Sequence, residues 1–419
     1  MTTCYPADLR PDLEPLRRIR VELAHIIEPE DWIGMQLIHH LGPEQAHRLV
    51  TDTSLNEHRL SKVLHDHGAV MPQRSFAATV QAALRRWNKR ITTLADSEAH
   101  AIMRGVDAAL LIPEDPRWPQ QLADLGADQP VLLWVRGDPE ILNEHQVAVV
   151  GARAATPYGT AVAEDLVGMI IRAGHHVTSG GAYGIDAASH HAALRTSANP
   201  RGGKSTRNGS RTIAVLAGGI DRYYPAGNRD LLRRIAQNGA VISEVLPGRP
   251  PSRYRFLSRN RIIAALSSLI VVVEAQHRSG ALNTAHHGLN LGRTVAAVPG
   301  SVFATSSAGC HRLIQETPTE LIYRAEDVQR LLDVTVTQAE QHEESLDLTE
   351  LMVLACLPVS KHVGIDGIVD RTGLPVHQIL AILTQLAASG YAVERDQLWR
   401  STGRTSHSRE QHDNAKKLG

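Results

Sequence analysis

Cysteine is scarce in this chain: Cys4, Cys310 and Cys356 stand far apart and in no CxxC spacing. That argues against a disulfide scaffold and a cysteine zinc site, and it fits a reducing compartment. Net charge is lacking as well, with 44 basic against 44 acidic side chains, so a polyanion must be met by a local patch. No apolar run approaches the ~18 residues of a membrane span. The opening MTTCYPADLRPDLEPLRR has acids where a secretory signal needs an apolar core. The expectation is a cytoplasmic protein with no membrane span.

What is present supports several packed units. At 419 residues and 42% hydrophobic, the chain is long enough for two or three domains, each with its own core. Residues 14 to 95 read as short amphipathic helices broken at Pro and Gly, which predicts a small helical domain over 1–95. From about Leu110 short Val- and Ile-rich runs alternate with amphipathic stretches: VLLWVRG (131–137), VAVVGA (147–152), HHVTSGG (175–181), TIAVLAGG (212–219), AVISEV (240–245), SLIVVVEA (268–275) and TVAAVPG (294–300). Near-continuous apolar strands with helical crossovers predict a Rossmann-like α/β domain over 96–335, a parallel sheet with helices on both faces. RTSANPRGGKSTRNGSR (195–211) is a basic insertion without an acid. Residues 364–400 read as helix, Gly-Leu-Pro turn, longer helix and hairpin, which is the order of a winged helix, placed at 345–400. Its longer helix has almost no Arg or Lys, so protein docking competes with duplex binding there. The polar tail 401–419 reads as disordered.

The glycine loop SGGAYGIDAASH (179–190) follows an apolar strand, and such a loop can hold a cofactor phosphate, a water or a nucleic-acid backbone. A dinucleotide site needs G-x-G-x-x-G after the first strand. Here the turn reads GARAATPYG, with Arg153 at the place of the second glycine, where a side chain blocks close approach yet offers a bidentate phosphate donor. GGKST (202–206) lacks the first P-loop glycine, because Ala198 stands there. The His pairs 175/176, 190/191 and 286/287 diverge by about 100° on a helix and share no metal. Glu244 and Glu274 end apolar strands, with a structural and a catalytic role both open. No catalytic residue, metal or cofactor is expected.

The most informative stretch is GRPPSRYRFLSRNRIIAALS (248–267). Five arginines, Arg249, Arg253, Arg255, Arg259 and Arg261, are interleaved with Tyr254 and Phe256 and no acid. Such density neutralises successive phosphates while rings stack on unpaired bases, so single-stranded nucleic acid is the fitting partner. Arg255, Phe256, Arg259, Asn260 and Arg261 are therefore candidate contacts, and Arg201, Lys204 and Arg207 of the insertion are candidate extra phosphate contacts.

Taken in order and spacing, VAVVGARAATPYG, SGGAYGIDAASH, AVLAGGIDRYYPAGN, SEVLPG, FLSRNRIIAALS, VVVEAQHRSGALNTA and AVPG resemble the DprA (Smf) family of DNA-processing proteins of natural transformation, over about 147–310. The resemblance implies a sterile-alpha-motif-like helical domain before the core and a winged helix after it. It also implies a non-catalytic role: binding and protecting incoming single-stranded DNA, loading the RecA recombinase, and acting as a homodimer. By motif position it assigns Arg153, Arg259 and Arg261 to phosphates, and Ser179, Gly180, Gly184 and Asp186 to the wall of the pocket, with Ser279 and Gly280 also in the site. The sequence departs from the family pattern at Ala152, Gly181, His191, Leu257 and His311.

Two other classes compete. A phosphoribohydrolase-type enzyme would carry PGGxGTxxE, and the corresponding EAQHRSGALNTAHHG keeps Gly280 and Thr284 but not the glycine pair or the following Glu. The other is an interaction protein with a vestigial pocket.

Overall fold

A computed structural model describes residues 11–29, 31–67, 76–91, 105–197, 211–332, 348–358, 362–388, 391–395 and 398–401. Arg201, Lys204 and Arg207 of the insertion, and the tail from 402, lie outside the described residues. The chain divides into two compact units, 1–332 and 333–419.

In the first unit, helices α1 (Glu14–Ile26), α2 (Trp32–Val50), α3 (Glu57–Asp66) and α4 (Phe76–Ile91) come first. Gly42 (φ 74°) and Pro43 interrupt α2, one of the breaks at Pro and Gly that the sequence predicts. Then follow β1 (Ala109–Leu111), β2 (Leu133–Gly137), β3 (Gln146–Val150), α5 (Pro157–Arg172), β4 (His176–Ser179), α6 (Ile185–Ser197), β5 (Thr212–Val215), α7 (Arg229–Asn238) and β6 (Ala240–Ser243). The unit continues with α8 (Arg253–Ser258), α9 (Asn260–Leu266), β7 (Leu269–Val272), α10 (Gly280–Asn290), β8 (Thr294–Ala297), α11 (Ala308–Glu316) and β9 (Glu320–Leu321).

Among the described residues the nine strands form one sheet in the order β1-β2-β6-β5-β4-β3-β7-β8-β9. From β6 to β9 every pairing is parallel, for example Val147↔Val177 and Val147↔Leu269. The period-2 geometry of a strand sends Val147 and Val149 to one face and Ala148 and Val150 to the other. The first pair packs under α5 and α6 through Leu166, Val167, Ile170 and Ala192. The second packs under α9 and α10 through Ile262, Leu266, Leu282 and Ala285. Burial on both faces is why these strands read as unbroken apolar runs.

One expectation is corrected. VLLWVRG does form a strand, β2, but it pairs antiparallel with both β1 and β6, so the sheet is mostly rather than wholly parallel. Helices α1 to α4 form the expected N-terminal helical region, and α1 packs against the sheet. Val21 of α1 lies in one buried cluster with Leu110 and Trp134 of the strands, and Val131 lies in the cluster of the helices. Arg17 pairs with Asp115 at 2.9 Å and Arg20 with Glu114 across the same seam.

The second unit holds α12 (Leu348–Ala355), α13 (Ile365–Thr372), α14 (Val376–Ala388) and the antiparallel hairpin β10 (Ala392–Arg395) and β11 (Leu398–Ser401). Gly373, left-handed at φ 69°, ends α13, and Ile379, Leu383, Leu386, Ile368 and Trp399 form its core. This is the helix-turn-helix and wing expected from the sequence.

Candidate nucleic-acid interface

The chain builds β3 to β6 in one direction across the sheet, then returns to lay β7 beside β3. Between β3 and β7 the order reverses, and open α/β sheets present ligands outside the carboxyl ends of their strands at such a point. The segments there are Gly151–Thr156 after β3, Gly180–Gly184 after β4 and Val273–Ser279 after β7.

Glycines let the first two segments meet. Gly184 is left-handed (φ 76°), and a Cβ on it would overlap the carbonyl oxygens of Ala152 and Arg153. Ile185 N, next along, donates to Ala152 O at 3.1 Å. The glycine loop therefore backs the Arg153 turn, and Arg153 is turned out to solvent.

Beneath this turn lies Arg259, 5% exposed, whose guanidinium occupies the space that a Cβ on Gly180 would fill. Its Nη1 donates to Gly180 O at 2.8 Å and also to Val215 O, while Nε is buried without a hydrogen-bond partner. Burial lowers this guanidinium to about 10, opposed by the Asp186 charge and aided by Arg153, so it stays cationic at neutral pH. Asp186 is buried and accepts from Ala182 N at 3.3 Å. Burial raises its carboxyl, with Arg259 pulling the other way. The acid of the loop thus orders its own turn and faces a cation.

The open face is aromatic and cationic. The Arg153 guanidinium carbon stands 4.6 Å from the Phe256 ring centroid, and Phe256 lies 5.9 Å from the half-exposed Tyr224 ring. Half-exposed Tyr183, in the glycine loop, accepts a hydrogen bond from Gly227 N at 3.2 Å. Tyr183 and Tyr224 were not among the residues expected from sequence, although both sit in the strand-end motifs AYGID and RYYP. Asn260 is buried and donates to Gly280 O at 3.2 Å and to Asn283 Oδ1 at 3.0 Å, tying α9 to the start of α10. Ser279 Oγ accepts from Ala281 N, and Gly280 is exposed. Ser179 Oγ donates to Val149 O at 2.7 Å and is wholly buried, so it holds β4 to β3.

Two of the expected phosphate contacts are withdrawn. Arg261 points inward: its Nη atoms form a bidentate pair with Glu244 at 2.6 and 2.7 Å, and Nε donates to Asp128 O at 2.9 Å. Arg259 and Arg261 are two positions apart at the start of a helix, about 200° of rotation, so they leave on opposite sides. Arg255 turns to the N-terminal helices, where it holds both Glu28 oxygens at 2.8–3.1 Å and donates to Pro250 O. Burial opposes ionisation of Glu28, but the Arg255 hydrogen bonds and the Arg255, Arg90 and Arg249 charges hold its carboxyl low. Tyr254 also faces that way, its hydroxyl donating to Pro29 O at 2.7 Å.

The strand-end acids are structural. Glu274 accepts from Thr156 N at 2.9 Å and Thr156 Oγ1 at 2.6 Å, anchoring the start of α5, and Glu244 is spent on Arg261. Among the described residues no group of three His, Cys, Asp or Glu could hold a metal ion, and no helix is long and apolar enough to cross a membrane. Burial pushes the Cys310 thiol up to about 12, away from thiolate chemistry.

Over residues 109–333, more than half its length, the sequence matches the DNA recombination-mediator protein A family. The chain belongs to that family of DNA-processing proteins. A DprA chain of Mycobacterium tuberculosis is 40% identical over 331 residues, 74% of this chain and 81% of the relative. The crystal structure of DNA processing protein A from Streptococcus pneumoniae matches with a TM-score of 0.57 at 29% identity, covering 75% of this chain and 97% of that one. A Helicobacter pylori DNA processing protein A, solved for its single-stranded DNA binding mode, matches at 26% identity and a TM-score of 0.47, covering 54% and 96%. The DprA family motifs fall on the strand ends and loops that carry Arg153, Arg259 and the glycine turn.

Proposed function

We propose that this protein holds single-stranded DNA along the carboxyl edge of its sheet and acts as a recombination mediator rather than an enzyme. Arg153 binds a phosphate, Arg259 supplies a second positive charge from below, and Phe256, Tyr224 and Tyr183 offer faces to unpaired bases. The observation that carries this reading is the contiguous Arg153–Phe256–Tyr224 stack, open to solvent beside a buried arginine with an unpaired N–H. Base stacking on such rings contributes ~1–3 kcal/mol per base and tolerates any sequence, which suits a protein that takes up a strand of arbitrary sequence. A duplex hides those base faces.

Hydrolysis is disfavoured by the same geometry. Glu274 and Glu244 both have their carboxylates engaged, Asp186 is buried under the loop, and Asp221 accepts from Gly248 N at 2.7 Å, so among the described residues each carboxylate at these strand ends is held by the fold rather than aimed at a water. The further steps belong to the same reading: the bound strand is shielded from nucleases and passed to RecA recombinase by a homodimer in the cytoplasm.

Gel-shift titrations with single-stranded, duplex and RNA oligomers test it, alongside a nucleotide-hydrolysis assay. The expected order puts single-stranded DNA first, with no hydrolysis. Arg153→Ala with Phe256→Ala should weaken oligo-dT binding roughly 10- to 100-fold, the loss of one charge-assisted contact and one stacked base. A folded double variant that binds as the wild type does would remove the assignment.

A further inference from the structure

We propose that the bound strand does not end at Phe256 but continues into an arginine-rich groove beside α7, a second phosphate track that takes several more nucleotides. The inference rests on the single-strand reading above. The groove encloses about 1470 Å³ and runs from the carboxyl end of the sheet, at Gly219 and Pro250, along α7 to Gly137 and Gly239 at its other end. That exceeds the ~300–1,000 Å³ of a small-molecule cleft and suits an extended ligand.

Its charge is one-sided. Arg136, Arg211, Arg222, Arg229, Arg233 and Arg249 line it against Asp107, Asp138 and Asp221; Arg211 is paired with Asp138 and Arg233 with Asp230 on the adjoining turn, and cations remain in excess in a chain with no net charge. Arg229 stands in the first turn of α7, where the positive end of the helix dipole disfavours a cation, and among the described residues no acid pairs with it. Arg222 is exposed, and its link to Asp221 is long at 3.6 Å, so a phosphate can replace it at little cost. One wall is aromatic: Tyr223 sits under the Arg136 guanidinium at 5.4 Å from the ring centroid. Tyr224 lines the groove and also touches Phe256, which joins the two sites into one path. Cations spaced along a trough with rings on one wall match a single strand, with phosphates on the arginines and bases on the tyrosines.

Fluorescence anisotropy with oligo-dT of about 6 and about 20 nucleotides, within and beyond the span of one single-strand site, tests this on the full chain. The variants are Arg222→Gln with Arg229→Gln, the charge-keeping Arg222→Lys with Arg229→Lys, and Arg153→Ala, each first checked for an unchanged melting temperature. The Gln pair should weaken the long oligomer ~10-fold or more and flatten its salt slope by about 1.4, near 0.7 per phosphate lost, while the short oligomer is unaffected. The Lys pair should bind the long oligomer as the wild type does, and Arg153→Ala should weaken both oligomers. If Arg153→Ala weakens both while the Gln pair changes neither, the groove is not a DNA track and the edge site stands; an acidic protein segment would then be its occupant. If the wild type binds neither oligomer, the single-strand reading fails and the groove inference with it.

Discussion

Arg259 and Arg261 stand two positions apart in the same motif and meet opposite fates. One lies under the glycine loop with an N–H unpaired, and the other is locked in a buried bidentate pair with Glu244. Removing one partner of such a pair strands the other charge, so Arg261→Ala should cost about 3–5 kcal/mol in a urea melt. Arg153→Ala, at an exposed position, should leave stability within about 0.5 kcal/mol and act on DNA affinity alone. His190 gives a pH signature. It is wholly buried, with Nδ1 2.7 Å from Thr212 Oγ1, and burial, with the His191 and Arg259 charges, lowers its pKa to about 3. Between its ordinary value near 6.5 and about 3 the unfolded chain takes a proton that the native state refuses. His190 therefore stabilises the native state fully above pH ~6.5, and its contribution falls by up to ~1.4 kcal/mol per unit as pH drops through that window. Urea melts of His190→Asn between pH 7 and 4 should show a shallower loss than the wild type; an identical slope would contradict this.

At the scale of elements, the strands were legible because each is buried on both faces and leaves an apolar run, and β3 to β8 stand at the expected runs. The direction of β2 was not legible, since the same residues suit either polarity. Nor was the split among the arginines of RYRFLSRNR. A sequence window shows charge density, but the partners that decide it, Glu28 for Arg255 and Glu244 for Arg261, are 227 and 17 residues away. The link through Glu28 has its own consequence, because the same carboxylate also holds Arg90 at 2.7 Å and so joins α4 to α8. Glu28→Gln should loosen this junction, seen as faster amide exchange over 253–258, with a smaller effect on DNA affinity than Arg153→Ala. Equal protection in variant and wild type would mean that packing alone holds α8.

For the whole molecule, zero net charge and the proposed binding of a polyanion are reconciled by segregation. Cations gather at the carboxyl edge and in the groove along α7, and most acids of the interior are paired off or hydrogen-bonded. The family was legible from seven short motifs because their glycines and arginines are fixed by close approach, of the Arg259 guanidinium at Gly180 and of the Ala152–Arg153 backbone at Gly184. The aromatic wall was only partly legible, because Tyr183 and Tyr224 come from different loops, and Tyr224 meets Phe256, and through it Arg153, only in the fold. The most direct test of the central claim is oligo-dT affinity from about 50 to 200 mM salt, measured for the wild type and for Arg153→Ala with Phe256→Ala. The expected result is tight, salt-dependent binding by the wild type, and a loss of roughly 10- to 100-fold with a shallower salt slope in the folded variant. Identical affinity and slope in the two proteins would contradict it.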